Sequence, residues 1–194
     1  MPLKTSILVP LTQSQAQHIL SRSGLTPRSQ QIADYWLSLW THDAPPARTQ
    51  VNPAAIKPLL PGIIFFMVIP QQSVHVGMAG TGFRTHLGRE ITGADWLALT
   101  PEDARWLRLS TFSTVAQGAI AINRWRFRIF ENSICSCEKL LLPLKPEQGE
   151  ALPVLGHVDW HDARSHGAGS FTLADISPPN LLDAVPSRMG EAAC

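Results

Sequence analysis

The sequence has 194 residues, 44% of them hydrophobic, with 16 basic and 15 acidic side chains for a formal charge of +1. This length predicts one domain with extensions, and the apolar content excludes a wholly disordered chain. The near-balance of charge leaves no electrostatic footprint for nucleic acid and no polybasic membrane patch.

Residues 1–25 form an N-terminal extension to which the sequence assigns no fold beyond one or two helical turns between Gln15 and Leu20. Ile7 to Pro10 is too short an apolar run for a signal-peptide core. A helix follows, with Thr26 as N-cap and Pro27 in its first turn. Ile32, Tyr35, Trp36, Leu39 and Trp40 fall at i, i+3, i+4, i+7 and i+8, a single apolar stripe. Pro45 and Pro46 forbid its continuation past about His42. The remainder of segment 26–60 is a proline-rich connector in which Asn52-Pro53 opens a turn carrying Ala55, Ile56, Leu59 and Leu60. Residues 61–161 then read as a core. Ile63 to Ile69 predicts a strand buried on both faces. It is the longest apolar run and far short of a membrane span, so the chain reads as cytoplasmic. Gln71-Gln72-Ser73 turns it into a second strand, Val74 to Ala79.

Gly80-Thr81-Gly82 breaks that strand, with glycine expected to supply a positive φ. Phe83 to Leu87 makes a helical turn closed by Gly88, and Glu90 to Gly93 and Asp95 to Leu99 read as further short helical pieces. Thr100-Pro101-Glu102-Asp103 reads as a helix start with a capping hydroxyl. That helix is expected to run to Gln117, with a stripe of Ala104, Leu107, Phe112, Val115 and Ala119. Arg124 to Phe130, Ile134 to Leu144 and Leu152 to Trp160 complete the strands. Residues 162–194 are expected to form a partly disordered tail. The predicted class is α+β, with one antiparallel sheet and helices on one face.

Several segments occur together in this order: Tyr35-Trp36, Ala44-Pro45-Pro46-Ala47-Arg48, Pro58-Leu59-Leu60-Pro61, Ala79-Gly80-Thr81, Leu87-Gly88-Arg89-Glu90-Ile91-Thr92-Gly93 and Leu142-Pro143-Leu144. Over Pro27 to Trp160 the chain resembles the PAS-domain superfamily. Within it, it resembles an alphaproteobacterial PAS-like family with an N-terminal helix and a proline-rich connector. The resemblance implies a five-stranded antiparallel sheet ordered second, first, fifth, fourth, third, with its concave face closed by the helical block. It also implies candidate cavity residues Phe83, His86, Leu87, Trp96, Phe112, Trp125 and Phe127. A dimer through the N-terminal helix is a further implication, with Ile32, Tyr35, Trp36, Leu39 and Trp40 at its interface.

Chemistry is sparse. The sequence has no Gly-x-Ser-x-Gly, no phosphate-binding glycine loop and no His-Glu-x-x-His, so no enzyme is expected. Cys135 and Cys137 alternate along one predicted strand. With Cys135 opposite His161, a cluster with His157 and Asp159 is weighed and set aside, because Cys-x-Cys on a flat strand chelates zinc poorly. Three cysteines, the third being Cys194, do not make a disulfide framework in a cytoplasmic protein. Haem would need one axial histidine, His86 or less favourably His75. Arg124, Arg126 and Arg128 read as a solvated basic row. No cofactor is evident, and haem or a small organic ligand stays open. The expectation is a stand-alone sensory or regulatory module that binds a small ligand or a protein partner and forms a homodimer. The alternative is a ligand-free interaction domain with a filled core.

Overall fold

The computed structural model describes residues 11–42, 44–130, 133–146, 149 and 151–161, excepting the side chains of 125–130, 133–136 and 161. The expectations for the tail 162–194, for Ile7 to Pro10 and for the turn at 131–132 lie outside these residues.

The N-terminal extension holds more structure than its polar composition suggests. Helix α1, Gln13–Arg22, is entered through a capping box. The Thr12 hydroxyl accepts from the Gln15 N–H at 3.2 Å, and the Gln15 side chain accepts from the Thr12 N–H at 2.9 Å. Ala16 and Leu20, four residues apart, are its buried positions. Helix α2, Pro27–Ser38, starts as expected, with the Thr26 hydroxyl accepting from the Ser29 N–H at 3.3 Å. Within and beyond the connector, Pro53–Gly62 winds as two 3₁₀ pieces across a kink at Ile56, the entry capped by the Asn52 side chain accepting from the Ala54 N–H at 3.0 Å.

Strands β1 (Ile63–Ile69), β2 (Ser73–Ala79), β3 (Ala121–Phe130), β4 (Ser133–Pro143) and β5 (Leu152–His161) form one antiparallel sheet. Their order is β2-β1-β5-β4-β3, as the resemblance implies. β1 is flanked by β2 and β5 and packed on both faces, Ile64, Phe66 and Val68 into one cluster and Ile63 and Phe65 into the other, so its sequence is an unbroken apolar run.

Between the two hairpins, α3 (Thr81–Leu87) ends at Gly88, whose φ of 69° gives the left-handed cap that glycine favours. Gly80 differs from expectation in its reason. Its φ is −68°. What requires glycine there is close approach: a Cβ at Gly80 would overlap the Leu60 carbonyl and lie 2.7 Å from the Pro61 oxygen. A Cβ at Gly82 would lie 2.5 Å from that same oxygen.

Of the two short helical pieces expected here, Glu90 to Gly93 is not helical. Asp95 to Leu99 keeps only turns, with the Leu99 and Thr100 N–H groups donating to the Trp96 and Leu97 carbonyls at 3.2 and 3.1 Å. The Val76 N–H donates to the Ala94 carbonyl at 2.9 Å, the Gly93 N–H to Val76 at 2.7 Å and the Trp96 N–H to Val74 at 2.8 Å. Residues 91–96 thereby cover the outer edge of β2. Thr100 does not cap α4 (Glu102–Ala116) either: its hydroxyl donates back to the Trp96 carbonyl at 3.0 Å, and Pro101 occupies the cap position.

The pleat sorts side chains onto two faces. Ile64, Phe66, Val74, Val76, Leu141, Val154 and Val158 face inward, packed under α3, α4 and the 91–99 segment with Phe83, Trp96 and Phe112. Ile63, Phe65, Ile122, Leu140, Leu142 and Leu155 face outward, where Leu20, Ile32, Trp36, Ile56 and Leu59 cover them. Helices α3 and α4 with the 91–99 segment thus close one face, and α1, α2 and the Pro53–Gly62 segment close the other.

Candidate functional site

The inner face gathers most of the candidate cavity residues. Phe66 stands edge-on to Phe112 at 4.6 Å and to Trp96 at 5.3 Å between ring centroids. Beside them, Trp160 on β5 meets Phe83 edge-on at 5.8 Å and stacks with His86 at 4.5 Å. Leu87 packs against the same cluster. Burial removes water from the imidazole of His86 and holds its pKa below the usual value. Trp125 pairs in register with Cys137, and Phe127 with Cys135. The side chains of Trp125 and Phe127 lie outside the described residues.

Two charged residues are buried on this same face, and neither stood out in the sequence. Arg108, from α4, is 7% exposed, and Lys139, from β4, is 3% exposed. Arg108 takes a core position because it lies one turn before Phe112 on the face that also buries Val115 and Ala116. Lys139 takes one because β4 alternates, and Cys137 and Leu141 on either side face inward. The Arg108 guanidinium carbon sits 5.8 Å from the Trp96 ring centroid, and Lys139 Nζ sits 5.2 Å from that of Phe112, both cation–π distances. Burial, then the charge of Arg108, pushes the Lys139 ammonium well below its ordinary range, with Cys137 acting in the opposite sense. Burial lowers Arg108 to about 10, again opposed by Cys137.

The outer face carries a polar junction between α2 and the sheet. Glu138, fully buried on β4, accepts from the Thr26 N–H at 3.0 Å and from Arg124 Nε at 2.9 Å. Arg124 also donates to the Ser23 and Gly24 carbonyls at 2.8 and 2.9 Å, so it ties down the α1–α2 turn. Its side chain nonetheless stays 49% exposed, so at Arg124 the expected solvated position also carries these contacts, while Arg126 and Arg128 have side chains outside the described residues. One turn further along α2, Ser29 Oγ meets His157 Nδ1 at 3.3 Å, and Arg28 reaches Asp159 at 3.8 Å. Burial holds His157 down to about 4, a ring that stays neutral in the folded chain. Ser29, His157 and Asp159 repeat the residue types of a hydrolytic triad. The hydroxyl and imidazole, however, are sealed between α2 and the sheet, where no substrate carbonyl can reach them.

This junction also separates the residues weighed for metal. His157 and Asp159 face α2 on the outer side, whereas Cys137 faces inward. The register pairs Ser136, not Cys135, with His161, one residue away from the expected alignment. Among the described residues no cluster of three metal-ligating side chains forms. His75 is exposed on β2 between the inward Val74 and Val76, which leaves His86 as the histidine at the inner face.

The stripe expected at a dimer interface lies instead on this chain's own sheet. Ile32, Trp36 and Trp40 are buried in the outer cluster. The Trp36 indole donates to the Pro143 carbonyl at 3.0 Å, and the Trp36 and Trp40 rings meet edge-on at 5.0 Å. Tyr35 and Leu39 are only partly buried, and the Tyr35 hydroxyl accepts from the Asn52 N–H at 2.7 Å. The physical reason is simple: an outer sheet face lined with Ile63, Phe65, Leu140 and Leu142 needs an apolar cover, and α2 supplies it.

No helix among the described residues is long and apolar enough to cross a membrane. No curated protein matches the sequence. Among solved structures, that of an RsLOV variant is similar over 56% of this chain and 68% of its own, at 16% identity and a TM-score of 0.35. A likeness of that size says nothing of ligand or chemistry. The family comparison is stronger, since the PAS domain model matches residues 25–159, well over half of the sequence. Together with the five-stranded sheet in the order β2-β1-β5-β4-β3, this shows that the chain belongs to the PAS domain family.

Proposed function

We propose that this PAS domain is a sensory or regulatory module with no chemistry of its own. In this reading the inner face of its sheet takes a small ligand, and its N-terminal helices pass the resulting change to a protein partner. The observation that carries the proposal is the double use of β4 and β5. Cys137, Lys139 and Leu141 face the inner cluster. The residues alternating with them, Glu138, Leu140 and Leu142, hold α1 and α2 from outside. A shift of either strand by a fraction of an ångström on one face is therefore felt on the other, because packed interiors transmit displacement rather than absorb it.

The test is native mass spectrometry of freshly purified protein against its denatured mass. An excess mass lost on denaturation supports the ligand reading, and a bare chain mass removes it. The same spectrum decides whether the protein is a homodimer. A second reading, a ligand-free interaction domain, draws on the ring-to-ring packing of Phe66, Phe112 and Trp96, which also suits a filled core.

A further inference from the structure

The apolar clusters on the two sides of the sheet share no residue, so a local loosening of the outer cover leaves the inner packing in place. Within that cover, the α1–α2 turn and the first turn of α2 are held differently from the rest. Further along α2, Ile32 and Trp36 are fully buried in the outer cluster, whereas from Ser23 to Ser29 only Leu25 packs against it, and only partly. This stretch is tied down by polar contacts to one patch of the sheet. Arg124 donates to the Ser23 and Gly24 carbonyls, Glu138 accepts from the Thr26 N–H, Asp159 meets Arg28, and His157 meets Ser29. The register sets Arg124 opposite Glu138 and Glu138 opposite Asp159, with His157 two residues along β5 on the same face. A segment with few buried apolar contacts opens at lower cost than the domain as a whole.

His157 is the group in this patch that closure shuts away from water. Its ring lies between the Ser29 hydroxyl at 3.3 Å and Gly62, where an added Cβ would come within 3.1 Å of Nε2. The charged groups facing it are Asp159 from β5, Glu138 from β4 and Arg28 from α2; from the Pro53–Gly62 segment it meets Gly62, which carries no side chain. Enclosure favours the neutral ring, whereas an open turn lets water reach it and solvate the charged form.

We infer that the α1–α2 turn and the first turn of α2 form a proton-operated latch, closed over neutral His157 and released from the sheet when that ring takes a proton from water. The inference rests on the part of the proposed role in which the N-terminal helices carry the output, and it needs no ligand at the inner face. Its direction follows from the ring's two states. With a value of about 4 when closed and an ordinary 6.5 when open, the open form gains on the closed one as pH falls through that interval. Between about pH 7.5 and about pH 5 the open population should rise about 25-fold.

The test is hydrogen exchange by NMR on the full chain at those two pH values, read as protection factors so that the intrinsic pH dependence of exchange cancels. The reporters are the Thr26, Ser29 and Gln30 amides, which donate to Glu138, the Thr26 hydroxyl and the Thr26 carbonyl. Their protection is expected to lie below that of β1 at both pH values and to fall about 25-fold on acidification. In His157→Gln most of that fall should disappear; His157→Asn serves if the glutamine variant does not fold. Protection equal to that of β1 at both pH values, no fall with pH, or a fall equally large in a folded variant overturns the inference. The ligand reading is judged apart from it. A bare native mass beside a His157-dependent release removes the ligand and keeps the latch, and a bound mass beside a pH-independent turn does the reverse.

Discussion

Acidification is expected to weaken this fold through His157. The imidazole is 2% exposed, and its Nδ1 faces the Ser29 hydroxyl. Burial is the main cause of its pKa of about 4, against an ordinary 6.5; among the charges facing it, Asp159 and Glu138 raise the value and Arg28 lowers it. Above the ordinary value the ring is neutral in the folded and unfolded chains alike, and its contribution to stability is fully present. Between 6.5 and about 4 only the unfolded chain binds the proton, so stability falls as pH falls. Across that interval, at ~1.36 kcal/mol per pH unit, the loss approaches about 3 kcal/mol, a large share of the roughly 5–15 kcal/mol that holds a domain together.

The assay is urea unfolding followed by tryptophan fluorescence from about pH 7.5 to about pH 5, where His157 alone should remove about 2 kcal/mol. His157→Gln keeps an acceptor for Ser29 and removes the titration, so its stability should vary far less over the same range. Parallel pH dependences for the two proteins, or an imidazole that titrates near 6.5 in the folded state by NMR, would refute the reasoning.

Other perturbations follow from the same contacts. Glu138→Ala should cost about 2 kcal/mol, because it strands the Thr26 N–H and half-exposed Arg124 together; the urea midpoint measures it, and proteolysis should attack the α1–α2 turn first. Gly80→Ala should cost about 3 kcal/mol or more, since its Cβ overlaps backbone carbonyls that no rotamer change can move; a wild-type midpoint would show that the 3₁₀ stretch yields easily. Trp36→Ala should lower stability by about 3–5 kcal/mol. Size-exclusion chromatography with scattering should find its native fraction in the wild-type oligomeric state, because Trp36 packs on its own sheet.

The strands were readable because their patterns are extreme. Ile63 to Ile69 is apolar throughout, as a central strand buried on both faces must be, and the Gly88 cap and the Thr26-Pro27 helix start are local signals that tertiary packing did not override. The capping box of α1 is also local, Thr12 followed three residues later by Gln15, but only Ala16 and Leu20 mark its apolar side. Arg108 and Lys139 escaped for a different reason. A charged residue on a helix or strand reads as solvent-facing, and only the register of β4 against β5 and the packing of α4 onto the sheet turn these two inward. The same dependence on register misplaced Cys135 opposite His161, since a slip of one residue exchanges the faces of a strand. The destination of the α2 stripe was equally non-local: its period showed that it covers something, and the outer sheet face it covers is assembled from strands far along the chain.

Hydrogen exchange on the full chain, as purified and after stripping by unfolding and refolding, tests most directly whether the two sheet faces act together. If the domain reads a ligand and passes the change outward, stripping should speed exchange along α4 near Arg108 and Phe112, and also in α1 and α2, which touch only the outer face. Identical exchange in both preparations, or a change confined to the inner face, would contradict that coupling.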